Sequence, residues 1–157
     1  MAYDAVLLVS FGGPERREDV LPFLDNVLRG RTVPAARRLA VAEHYYRFDG
    51  RSPLPAANRA LQAALRQALE GCGIKLPVYL GNRNWRPLLA DTLLEMTAAG
   101  VTSALAVVTS AFGSYSSCRQ YLEDIARARA EAGTRAPGVE KIRLFYNHPR
   151  FIEIWAE

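Results

Sequence analysis

The sequence is poor in cysteine, histidine, lysine and long apolar runs, and each shortage removes a class of function. Its two cysteines, Cys72 and Cys118, form neither a C-x-x-C pair nor a disulfide framework, which fits a reducing compartment. No apolar run approaches the roughly 18 residues of a spanning helix, and Met1-Ala2-Tyr3-Asp4 lacks the basic start of a secretory signal. The expectation is a cytoplasmic chain with no transmembrane segment. The two histidines, His44 beside Tyr45 and His148 before Pro149, have no second His, Cys or carboxylate at metal-ligand spacing. No G-x-S-x-G, Walker A or H-E-x-x-H pattern occurs, so serine-hydrolase, P-loop and zinc-protease chemistry have no carrier here. Of the cations, 18 are arginine and only Lys75 and Lys141 are lysine, giving a net charge of +4. No basic run with interleaved aromatics exists, which argues against a nucleic-acid partner. A guanidinium fork matches a carboxylate or phosphate at two points, which suits an anionic ligand. The 24 alanines point equally to compositional bias, with arginines solvating helix faces.

What is present is a core and a pattern. Half of the 157 residues are hydrophobic, enough to build one α/β domain over 1–157. Residues 6–15 read V-L-L-V-S-F-G-G-P-E: the apolar run suits a strand covered on both faces, and Gly12, Gly13 and Pro14 break it at once. Two glycines alone also fit a plain strand-to-helix turn, because they lack dinucleotide or P-loop spacing. Val20, Phe23, Leu24, Val27 and Leu28 then recur at helical spacing, closed by Arg29-Gly30-Arg31. Further helices are expected at about 35–48 and 55–69, after which 77–81 reads as a buried strand. Pro87 is expected to start a helix carrying Leu89, Leu93 and Met96. A third strand is expected at 103–109, a helix ending near Ala132, a fourth strand at 141–146 and a last helix from Pro149. Strands alternating with helices imply a parallel sheet with helices on both faces.

In such a sheet, ligands sit beyond the carboxyl ends of the strands. Three of those ends carry more polar and aromatic residues than turns require: Ser10-Phe11-Gly12, Asn82-Arg83-Asn84-Trp85, and residues 109–117 with Phe112 and Tyr115. Converging on one edge, these aromatics, hydroxyls and one guanidinium suit a flat aromatic ligand with a few anionic groups. Each aromatic taken alone also fits ordinary loop packing. Cys118 fits a structural thiol better than a nucleophile, since no histidine is near it in sequence.

These segments carry a resemblance. The opening L-L-V-S-F-G-G-P-E, the turns Arg29-Gly30-Arg31 and Gly50-Arg51-Ser52-Pro53, Gly81-Asn82-Arg83-Asn84-Trp85, Thr109-Ser110-Ala111-Phe112 with Tyr115-Ser116-Ser117-Cys118, and Asn147-His148-Pro149 follow one another as in the ferrochelatases. The chain resembles most the bacterial, actinobacterial-type members that use coproporphyrin III. The resemblance implies a Rossmann-like chelatase half that supplies porphyrin contacts to an enzyme of haem biosynthesis. It also implies ferrous iron as the substrate and no cofactor required for binding. By that resemblance Ser52, Tyr121, Arg29 and Tyr45 match porphyrin-contacting positions, and His44 replaces an arginine of relatives. Phe11 matches a position where other bacterial members carry an iron-ligating tyrosine, and a phenyl ring has no lone pair to give.

The family's metal-handling histidine and its partner glutamate belong to a second half that these residues do not include. No catalytic or metal-ligating residue is therefore expected in this chain, and metal insertion by it alone should be near background. Either the missing half or a second copy would complete the cleft. Whether Cys118 ligates an iron–sulfur cluster in a longer chain stays open. The competing expectation is a non-catalytic module that binds a tetrapyrrole or a simple anion.

Overall fold

The computed structural model describes residues 2–115 and 119–156. The strands β1 (Ala5–Ser10), β2 (Val78–Asn82), β3 (Ser103–Val108) and β4 (Gly138–Lys141) form one parallel sheet in the order β2-β1-β3-β4. All six residues of β1 are buried, as a strand with neighbours on both sides and helices on both faces must be. Its register pairs Val9 with Gly81 on one side and with Val108 on the other.

The helices are α1 (Val20–Val27), α2 (Ala35–Tyr46), α3 (Leu54–Gly71), α4 (Leu89–Ala98), α5 (Gln120–Ala132) and α6 (Pro149–Ala156). Alternation along the strands divides the core. Ala5, Leu7 and Val9 of β1 join Ala104, Ala106 and Val108 of β3 under α4 and α5, through Leu93, Met96 and Ile125. Asn58 of α3 reaches the sheet from elsewhere, donating to the buried Ser10 hydroxyl at 2.8 Å. A separate cluster of Val20, Phe23, Leu24 and Ala42 joins α1 to α2 at the carboxyl end of β1. No helix among the described residues is long and apolar enough to cross a membrane.

Two boundaries differ from expectation. The fourth strand lies at Gly138–Lys141, not 141–146, where it pairs in register with Ser103 to Ala106 of β3. Its last rung is the Ile142 amide on the Ala106 carbonyl at 3.0 Å; beyond it the chain leaves the sheet, and Phe145 packs edge to face on Phe151 of α6 at 5.6 Å. Helix α4 starts at Leu89, two residues after Pro87. The Pro87 carbonyl accepts the Asn82 amide at 2.8 Å, and Leu88 bridges to Asn82, so this segment stays extended first.

At the amino end of the sheet the Asp4 carboxylate accepts the Thr102 hydroxyl at 2.6 Å and the amides of Thr102 and Ser103 at 2.9 and 3.0 Å. The Thr102 hydroxyl, then the two amides, hold its pKa below the ordinary value of 3.8. A lowered folded pKa stabilises the fold above the unfolded value, and that contribution is lost as pH falls through the folded one. Asp4→Asn should therefore flatten the acid limb of the stability profile below about pH 4, read as the urea midpoint against pH. An unchanged limb would assign acid sensitivity to other groups.

Candidate functional site

The strand order reverses at β1: the chain goes first to β2 on one side and then crosses to β3 on the other. That reversal opens a crevice beyond Ser10 and Val108, where ligands of open α/β sheets bind. The Thr109 hydroxyl donates to the Ser10 hydroxyl at 3.0 Å and closes its floor. The loop after β2 is stitched to the loop after β1. The Arg83 amide donates to the Ser10 carbonyl at 3.0 Å, and the Asn84 amide and side chain both donate to the Phe11 carbonyl at 3.2 Å.

Glycine is needed here at two points. Gly12 has φ +82°, and a Cβ on it would stand 3.0 Å from the Trp85 amide nitrogen. A Cβ on Gly13 would lie 2.7 Å from both Cβ and Oγ of Ser52, whose amide donates to the Pro14 carbonyl at 2.8 Å. The opening motif therefore seats the turn that carries Ser52. Gly13→Ala should cost about 1–3 kcal/mol and displace Ser52, seen as a lower urea midpoint. A neutral substitution would mean that the turn yields freely.

Phe23 of α1 is the hub of the aromatic residues. Edge-to-face contacts join its buried ring to Phe11 (6.1 Å between centroids), Tyr45 (5.8 Å) and Trp85 (6.3 Å). The Arg83 guanidinium lies 5.6 Å from the Phe11 ring centre and 4.8 Å from that of Tyr121, within cation–π range of both. Asp124 of α5 forms ion pairs with Arg83 and with Arg127. Burial pushes the Tyr121 phenol pKa up against the pull of Arg83, and burial also raises that of Tyr45. Both hydroxyls therefore stay protonated at neutral pH, as donors rather than anions.

Beside this cluster lies an open, mainly apolar groove of about 790 Å³, lined by His44, Tyr45, Phe48, Arg51, Ser52 and Pro53. Its volume suits a sizeable organic ligand. The turn from α2 to α3 forms it, with Asp49 at φ 57° and Gly50 at φ +74° packed against the Arg17 backbone.

The structure brings Tyr45 and Ser52 together in the groove, and ties Phe11 to Tyr45 through Phe23. Tyr121 is buried and meets this group through Arg83. Arg29 stands apart: it donates to Asn26 at 2.7 Å and borders a separate 60 Å³ cavity with Asn82, Arg83, Asp124 and Arg127. Phe112 packs on Phe151 of α6 at 5.8 Å, and the Tyr115 hydroxyl donates to Glu123 at 3.4 Å. Ser116, Ser117 and Cys118 lie outside the described residues. His148 accepts the Arg150 amide at 3.3 Å, a helix-start role. Sequence reasoning missed Phe48, Arg51 and Asp124 as site residues. For Asp124 a signal existed, a carboxylate three positions after Tyr121 on the apolar face of its helix.

A family model for ferrochelatase matches residues 3–157. The chain belongs to the ferrochelatase family. It is 56% identical over 157 residues to a coproporphyrin III ferrochelatase of Nocardia farcinica, covering 100% of this chain and 45% of that relative. A ferrochelatase of Rhodopirellula baltica is 56% identical over 155 residues, 99% of this chain and 44% of its own length. A coproporphyrin III ferrochelatase of Mycolicibacterium smegmatis is 51% identical over 157 residues, 100% of this chain and 46% of its own. The chain thus spans under half the length of the curated relatives it matches.

Among the described residues no cluster of three His, Cys, Asp or Glu side chains is placed to hold a metal ion. The groove pairs an apolar wall from Tyr45, Phe48 and Pro53 with cationic or hydrogen-bonding groups from Arg51, His44 and Ser52. Chemically this arrangement can cover the face of a flat ring and pair with carboxylates at its edge.

Proposed function

We propose that these residues act as one unit, the porphyrin-binding wall of a coproporphyrin ferrochelatase working in the cytoplasm. The observation that carries this reading is the groove beside Tyr45 and Ser52, backed by the Phe23 ring cluster at the point where the strand order reverses. The substrates are coproporphyrin III or a related porphyrin and ferrous iron. Iron entering the macrocycle displaces two pyrrole protons. The groups that hold the metal and take those protons belong to polypeptide beyond these residues, supplied by a further segment or a second copy.

Within the chain, Tyr45, Phe48 and Phe11 exclude water from the ring. Arg51 and His44, which line the groove, pair with propionate carboxylates, and Ser52 donates a hydrogen bond. Tyr121 contributes through Arg83 rather than by an exposed face. Arg29, which borders the other cavity and not the groove, takes no part in this wall.

Coproporphyrin III titrated into the chain should produce a saturable shift of its main absorbance band. Tyr45→Ala should raise Kd about tenfold, equivalent to about 1.4 kcal/mol, with the far-UV spectrum intact. Metal insertion by the chain alone should stay near background. A folded chain that leaves the porphyrin spectrum unchanged would contradict the proposal. The many arginines favour a second reading, a generic anion-binding module. Salt separates the two: exposed charge pairing is screened above about 0.1 M, whereas a ring covered by aromatics keeps most of its affinity.

A further inference from the structure

Asp124 is the only buried charged residue among the described ones, with 4% of its surface exposed. A carboxylate so placed must be paired, and Arg127, one turn along the same helix, already pairs with it. The second ion pair, to Arg83, comes from the loop after β2, far away in the chain. Charge balance alone does not require it, since one guanidinium neutralises one carboxylate. What the second pair does is fix a cation at one spot, within 4.8 Å of the Tyr121 ring centre and 5.6 Å of that of Phe11. These two rings come from different elements, and Phe11 in turn meets Phe23, which meets Tyr45.

We propose that Asp124 is a positioning residue: it anchors Arg83 as a spacer between Phe11 and Tyr121, and thereby sets where those rings stand at the rim of the site. Its consequence for ligand binding rests on the porphyrin-binding function proposed above. A rival role is purely structural, in which the pair serves only to balance charge in the interior.

Four chains separate the two roles: wild type, Asp124→Asn, the double variant Asp124→Asn with Arg83→Gln, and Glu131→Gln. Glu131 pairs with the same Arg127 at 4.0 Å and serves as control. The double variant removes both charges while keeping polar groups of similar shape, so it should regain stability that the single variant loses. It also remains informative if the single variant folds poorly. Two readouts apply, the ring ¹H–¹³C resonances of Phe11 and Tyr121 without ligand, and the Kd for coproporphyrin III.

Positioning predicts that both rings' resonances move in the single and double variants but not in Glu131→Gln. It also predicts that Kd rises about tenfold in the double variant despite its regained thermal midpoint. A double variant with wild-type ring resonances and wild-type Kd would overturn the proposal and leave charge balance as the whole role. If the rings move but the wild-type chain binds no porphyrin, the positioning stands and the binding function proposed above falls.

Discussion

Phe23→Ala is expected to lower stability by about 3–5 kcal/mol, the range for deleting a buried phenyl ring. At 157 residues the thermal midpoint should fall by roughly 6–20 °C, at about 2–4 °C per kcal/mol. The reason lies in its neighbours. Phe11, Tyr45 and Trp85 each meet the Phe23 ring edge to face, so one deletion removes the common support of three residues from three different elements. Porphyrin affinity should drop with it, measured on the folded fraction at low temperature. Leu93→Ala provides the contrast. That side chain is fully buried under the other face of the sheet and should cost about 2–5 kcal/mol while leaving affinity unchanged. Equal affinity losses in the two variants would mean that the ring cluster has no particular link to the site.

Asp124→Ala should cost about 3–5 kcal/mol, because it leaves the Arg83 and Arg127 guanidinium groups without their shared carboxylate. Arg83 is the decisive partner, with 13% of its side chain exposed, while Arg127 at 56% turns to solvent at little cost. Replacing both members of the buried pair, with Leu at 124 and Met at 83, should recover most of the loss. Urea unfolding of the two variants checks this. A single-variant loss below about 1 kcal/mol would show that the pair behaves as a solvated surface bridge.

The fold was largely legible because its signals are local. The run from Val6 to Val9 is apolar throughout and sits in a fully buried strand, and the break at Gly12 and Gly13 falls where backbone and Ser52 approach most closely. The fourth strand falls before the expected 141–146 for a non-local reason: those residues look more strand-like than Gly-Val-Glu-Lys, but register with β3 decides which residues pair. At the site, similar limits apply. Phe23 reads in sequence as one more core residue of an amphipathic helix, and nothing local reveals that three separated aromatics converge on it. Tyr45 and Ser52 were reached through family resemblance, and the structure places both in one groove. Asp124 was passed over because a carboxylate on a helix ordinarily faces water. Its burial goes with ion pairing to Arg127 on the same helix and to Arg83 from a distant loop, and the second of these has no local signal.

The central claim is that a planar macrocycle lies against the groove between α2 and α3. An amide-resolved NMR titration with metal-free coproporphyrin III tests it most directly, because the ring current of the macrocycle displaces the resonances nearest its faces. The largest shifts should fall on residues 44–53, with smaller ones at Phe11 and Trp85. Shifts concentrated instead beside α4 and the end of α5, around Leu94, Thr97 and Arg135 where another groove opens, or no shifts from a folded chain, would contradict it.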